Sequence, residues 1–448
     1  MKTKIIITLA ALLMTAAFSG CSAQIKEDRE IKEPGKQEEN VQTGEKDEIP
    51  GSGEEDKDTS MEDNIGVNTE ITDGESFSKA VNIFNWKYFD IQDHESNLFY
   101  SPMSLSSALS MALYGAGGNT EEELKKVLNI SDTDTFLSDI NAFSKTDYGE
   151  NTKLSIANSL WMDKEYTEKF GLNEDFVTGL KTKLDAEAKE VDFANDSEGA
   201  CKEISDWVNK KTEGFISDYS PVADSTTVLD IINAIYFNGK WESEFMKEDT
   251  FDEEFKGKET SVVDMMHMYD YYFKYLEKDG FKAVELPYKE SSLVMDIIMP
   301  VEEGAVDAGK RWTGFSVEER EEFLKELSEA STEELMVLAI PKFDMDLTAE
   351  NLKENLQKMG IKDAFDPESA DFSKITQNMY ISDIAHRAKI EVDEEGTKAA
   401  AVTEIEMAVT AAGPMTEAYD FICDKPYVYV IKDTKTGVIL FCGLVNSL

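Results

Sequence analysis

Basic residues, histidine, cysteine and proline are all scarce in this chain. Its 448 residues hold 45 Lys and Arg against 91 Asp and Glu, a net charge of −46. A phosphate-binding surface needs a basic face, so nucleic acid is excluded as a natural ligand. Four Cys are too few to staple a scaffold and none stands in a CxxC pair, which argues against a zinc ribbon or a dithiol redox site. The 3 His, His94, His267 and His386, lie far apart in sequence, and no metal ion is expected. No GxGxxG, Walker, HExxH or GxSxG sequence occurs, nor any repeat of fixed period, so no catalytic motif or cofactor is expected.

What is present falls into three parts. Lys2 and Lys4 precede an apolar run from Ile5 to Ala17 that ends at Phe18-Ser19-Gly20-Cys21, a targeting segment over residues 1–21. It resembles a bacterial lipoprotein signal, in which small residues precede a Cys that becomes the lipid-modified N-terminus. That resemblance implies an extracellular, cell-surface protein anchored to the membrane through Cys21; an ordinary signal peptide with an incidental Cys is the alternative. Residues 22–75 are rich in Glu, Asp, Lys, Gly, Ser and Thr, with large apolar residues only singly. Such a segment buries too little surface to fold and reads as a disordered acidic tether, or as an acidic interaction tail.

Residues 76–448 carry the patterns of a folded α+β domain. Phe77, Val81, Phe84, Tyr88 and Phe89 have helical spacing. Ser101 is a good N-cap and Pro102 suits the first position of a helix ending near Gly115. Thr120 and Glu123 read as a capping box for the next helix. Val228 to Phe237 is nearly all apolar, as expected of a central strand buried on both faces. Later strands are expected at 269–276, 283–286, 293–299, 335–343 and 381–392, with a final hairpin from Tyr427 to Leu444.

The stretch from Asp393 to Pro426 is a loop written like a strand. Thr397, Ala399, Ala401, Thr403, Ile405, Met407 and Val409 are small or apolar, while the interleaved Lys398, Ala400, Val402, Glu404, Glu406 and Ala408 carry every charge. That period of two marks one face for burial, yet the run ends in the exposed-looking tip Thr410-Ala411-Ala412-Gly413-Pro414. On Glu394, Glu395, Gly396, Thr397, Ala399, Ala400 and Ala401, together with Asn97-Leu98-Phe99-Tyr100-Ser101-Pro102 and Asn238-Gly239-Lys240-Trp241, the chain from about Phe77 to Leu448 resembles a serpin.

The resemblance implies the serpin fold: a large central, mostly antiparallel sheet, two further sheets, eight to nine helices and an exposed reactive-centre loop at about 396–418. It implies a monomer that is no enzyme but a suicide substrate for a serine protease. Glu394, Glu395, Gly396, Thr397, Ala399, Ala400, Ala401 and Thr403 would form the hinge. Ser101, Ser104, Asn233 and His386 match the shutter, a polar cluster beneath the place where the sheet opens. Trp241 and Glu394 match the breach, where insertion starts, with Glu394 expected to meet a basic group. Lys398 departs from the Glu commoner in the family.

Counting from the hinge puts the reactive bond at Thr410–Ala411, beside Val409, whereas the anchor side of the loop gives Met415–Thr416. Between Lys398 and Asp424 there is no Lys or Arg, which points away from trypsin-like proteases and toward elastase-like or subtilisin-like ones. A non-inhibitory carrier or chaperone, or an inhibitor of cysteine proteases using the same loop, are the alternatives.

Overall fold

The structure, a computed structural model, describes residues 74–302, 304, 307–349, 351–397 and 419–448. The leader with Cys21, the tether up to residue 73, and hinge and loop residues 398–418, including Ala399, Ala400, Ala401, Thr403, Val409, Thr410, Ala411 and the Met415–Thr416 bond, lie outside the described residues.

Helix α1 (Gly74–Asp90) buries Phe77, Val81, Phe84, Tyr88 and Phe89, the stripe expected from their spacing. Strand β1 (Leu98–Tyr100) leads into α2 (Pro102–Gly115), where the Ser101 hydroxyl accepts the Ser104 N–H. Nearly every residue of α2 is buried; its Ser and Ala side chains are small enough to let the helix lie against both sheets. Helices α3 (Gly118–Leu128) and α4 (Thr133–Ser144) follow. The capping box expected of Thr120 and Glu123 does not form. Helix α3 starts earlier, after Gly117, so Thr120 lies within its first turn and its hydroxyl accepts the Asp371 N–H at 3.0 Å. A tertiary partner here wins over the local one.

The middle of the chain runs β2 (Thr152–Asp163), α5 (Lys164–Phe170), α6 (Glu174–Leu184), β3 (Glu187–Val191), α7 (Phe193–Lys211) and β4 (Leu229–Lys240). Next come β5 (Thr250–Lys256), β6 (Thr260–Lys278), β7 (Phe281–Pro287), β8 (Leu293–Pro300), α8 (Ala308–Trp312), α9 (Val317–Glu329), β9 (Thr332–Pro341) and β10 (Phe343–Thr348). The rest is α10 (Leu352–Met359), β11 (Asp383–Val392), β12 (Gly396–Thr397), β13 (Tyr419–Ile422), β14 (Tyr427–Asp433) and β15 (Ile439–Val445). The described residues thus hold ten α-helices rather than eight to nine; α5 and α8 are too short to leave a helical period in the sequence.

Six strands form one sheet in the order β10-β11-β12-β4-β2-β3, antiparallel except for the β2–β3 and β11–β4 pairs. The other strands form one continuous ladder rather than two separate sheets, because β6 is 19 residues long. Its first part pairs with β5, its middle with β9, and its last turns away to pair with β7. Strand β4 separates two apolar layers. Leu229, Ile231, Ile235 and Phe237 face the main core, while Ile232 and Ala234 pack under α7 with Trp207 and Ile204. A strand covered on both faces has no room for alternation, which is why 228–237 reads as one apolar run.

Candidate functional site

Strand β11 ends at Val392, and the chain turns back at once. Asp393 organises the turn: its Oδ1 accepts the N–H groups of Glu395 (2.9 Å) and Gly396 (3.1 Å). The three turn carbonyls then meet donors on the segment after β4. Trp241 Nε1 donates to Asp393 at 3.1 Å, Phe245 N–H to Glu394 at 2.9 Å, and Trp241 N–H to Glu395 at 3.0 Å. The side chains are tied as firmly. Glu394 accepts from Lys342 Nζ at 3.0 Å and from Thr250 Oγ1 at 2.9 Å, and Glu395 pairs with Lys247 at 2.8 Å. Burial alone would raise the Glu394 carboxyl, but its own backbone amide, Lys342 and Thr250 hold it below the usual range.

Beyond this turn the hinge is already part of the sheet. Thr397 pairs with Val392 on β11 and with Gly239 on β4, so Gly396 and Thr397 lie between two strands that farther down pair directly with each other. Thr397 is 1% exposed, and its hydroxyl meets the buried Tyr288 hydroxyl at 2.8 Å. Tyr288 in turn stacks on Trp241 at 4.8 Å. Gly396 is required by space: a Cβ there would stand 2.2 Å from the Gly239 carbonyl oxygen.

Just below, the strands are stitched by a buried polar chain. The Ser101 N–H donates to His386 Nε2 at 3.0 Å, which leaves the proton on Nδ1, facing Asn233 Oδ1 at 2.6 Å. Ser104 Oγ donates to the same Asn233 oxygen at 2.8 Å. The Asn233 amide donates to Asn158, and Asn158 to Ser107, each at 2.8 Å. His386 and Asn233 are register partners, so the chain crosses the β4–β11 seam directly under the hinge.

The structure therefore brings Ser101, Ser104, Asn233 and His386 together at one point, and Trp241, Glu394, Glu395, Gly396 and Thr397 at another. Sequence reasoning missed Lys342, Thr250, Tyr288, Asn158 and Ser107. Lys342 left a signal, a lone cation between Pro341 and Phe343 at the end of an apolar strand; the others left none.

Burial alone pushes His386 down to about 3. A folded value below the unfolded one means that the stabilisation is complete above about pH 6.5 and is lost as pH falls toward 3. By linkage that loss reaches on the order of 4 kcal/mol. Asp230, pushed up to about 8 by burial and then by Asp383, works in the opposite direction, so the contribution of His386 is a difference measurement. The melting temperature of wild type is expected to fall more steeply between pH 6.5 and 4 than that of His386→Gln. Parallel curves would contradict this assignment.

The comparisons agree with this geometry. The family described as Serpin (serine protease inhibitor) matches residues 80–448. An uncharacterized serpin-like protein of Thermococcus kodakarensis is 35% identical over 378 residues, covering 81% of this chain and 84% of its own. Leukocyte elastase inhibitor A of Rattus norvegicus is 33% identical over 391 residues, covering 83% of this chain and all of its own. The native structure of tengpin, a thermophilic serpin, superposes with a TM-score of 0.73 at 28% identity, over 84% of this chain and 95% of tengpin. With this hinge set between these two strands and a match that runs to its last residue, the chain belongs to the serpin family.

Proposed function

We propose that this serpin inhibits serine proteases of the elastase-like or subtilisin-like class by trapping the acyl-enzyme. The observation that carries the reading is the pairing of Gly396 and Thr397 between β4 and β11. A strand begins there, and if it ran on with the same period of two it would turn Ala399, Ala401 and Thr403 inward, none of them charged or bulky. The protease serine attacks the Thr410 carbonyl, an ester to the enzyme forms, and the peptide bond breaks with the proton passing to the amine of Ala411. Freed from its C-terminal anchor, the loop continues the strand. Some fourteen residues at about 3.3 Å each carry the bound protease roughly 45 to 50 Å. Deacylation fails in the distorted enzyme.

Incubating the protein with a panel of serine proteases tests this. Elastase-like enzymes are expected to give complexes that survive denaturing electrophoresis, with a released peptide beginning between Thr410 and Ala412. Trypsin finds no cation between Lys398 and Asp424 and is expected to escape, while Thr410→Arg redirects the loop to it. Efficient trapping of trypsin by the wild type, or a peptide beginning at Thr416, contradicts the assigned bond. The name of the rat relative, an elastase inhibitor, supports the protease class.

We further propose that Cys21 is lipidated and anchors the protein at the cell surface, with residues 22–75 as the tether. Cys21→Ala is expected to release the protein or leave an uncleaved precursor; unchanged localisation and lipid labelling would rule the anchor out.

A further inference from the structure

Below the His386–Asn233 pair, β4 and β11 stay bonded in parallel, and Asp230 and Asp383 are direct register partners. Ionised together they repel, and burial along with that repulsion pushes the Asp230 carboxyl up to about 8, so near neutral pH the pair carries about one negative charge. Neither carboxylate has an ion-pair partner among the described residues. Both face a cleft of about 320 Å³ between the segment Tyr219–Val222, the two strands and the start of α10. Asp230 is 3% exposed, and its Oδ1 has no hydrogen-bond partner. A buried acceptor left unmade is costly, so this atom asks for a donor that the protein does not provide. The cations on the lining make their hydrogen bonds elsewhere, although the charge of Lys353 also acts on both carboxyls. Lys353 donates to the Ser382 carbonyl at 2.9 Å, and Arg387 pairs with Asp346 at 2.8 Å and Asp218 at 3.1 Å. Glu354 is the third acid there, and Tyr219, Pro221, Ile232 and Leu352 supply apolar surface.

We propose that this cleft binds a small primary ammonium with an apolar stem, its N–H groups bridging Asp230 and Asp383 across the seam. An ammonium carries three donors and one charge, which suits two facing carboxylates. A divalent metal suits them less: it takes six or more oxygens, and no group of three or more His, Cys, Asp or Glu among the described residues could hold one. Occupancy has a consequence that rests on the insertion reading. A strand continuing the register of Thr397 must part β4 from β11 at this carboxylate pair, and a bridging cation clamps it shut. The binding site itself does not depend on that reading.

The test uses the full chain with 2-phenylethylammonium, and 2-phenylethanol as its neutral counterpart, measured by calorimetry at pH 9, above the value of about 8 to which Asp230 is pushed, so that both carboxyls are ionised. Saturable binding of the ammonium is expected, at least about tenfold tighter than the alcohol and weakened by a similar factor in Asp230→Asn. Absence of binding, equal binding of the two compounds, or undiminished binding by a folded Asp230→Asn overturns the site. If Asp230→Asn does not fold, Asp383→Asn is scored by the same outcomes. Saturating ammonium is also expected to raise the number of inhibitor molecules cleaved per protease trapped, and an unchanged ratio overturns the clamp. If the unliganded protein traps no protease while the ammonium binds, the inhibitor reading fails and the site stands.

Discussion

Thr397→Arg is expected to turn the protein from a trap into a substrate. Thr397 is buried between β4 and β11, and its hydroxyl meets the Tyr288 hydroxyl. A guanidinium placed there must be desolvated, at a cost of about 3 kcal/mol or more. If that cost falls on the insertion step, insertion slows at least about a hundredfold. Deacylation, untouched by the substitution, then wins the race. The loop should still be cut at the same bond, but active protease should be released and almost no complex should survive denaturation. Trapping by Thr397→Arg as efficient as wild type would contradict insertion through this gap.

Cutting the loop of the wild type, with no protease left attached, is expected to make the protein far more heat-resistant. A strand added between β4 and β11 gains partners on both sides. At a net ~1 kcal/mol for each of roughly a dozen hydrogen bonds, the gain is on the order of 10 kcal/mol. For a domain of this size that corresponds to a rise in Tm of roughly 13 °C. The intact protein would then be held by a barrier rather than by its free-energy minimum. The His386–Asn233 link, which crosses the seam, and the Lys342–Glu394 pair would be contacts that supply that barrier. A calorimetric scan of the cleaved domain measures this, and an unchanged or lowered Tm would count against metastability.

Much of the fold was legible where local rules and burial agree. Ser101 and Pro102 start α2 as their chemistry dictates, and the apolar run at 228–237 is the doubly covered β4. Strand β3, Glu187-Ala188-Lys189-Glu190-Val191, carries no alternation and is a strand only because it pairs with the end of β2. The site divides in the same way. The small inward residues of the hinge can be read from period two alone, but Ser101, Ser104, Asn233 and His386 were assigned through a family resemblance, since nothing local draws together residues so far apart in the chain. Two residues have no period, so the pairing of Gly396 and Thr397 could not be seen in the sequence. It is set by Trp241 and Phe245, whose N–H groups hold the turn in place. Tyr288 and Thr250 are visible only once β6, β7 and the hinge are in space.

The most direct measurement is the crystal structure of the loop-cleaved domain. The account predicts a full strand running on from Thr397, with Ala399 opposite Phe237 and Ile390, Ala401 opposite Ile235 and Ala388, and Thr403 between Asn233 and His386, the register set by Thr397 with Gly239 and Val392. A cleaved domain in which Asp230–Ile235 remain paired with Asp383–Ala388 would contradict it.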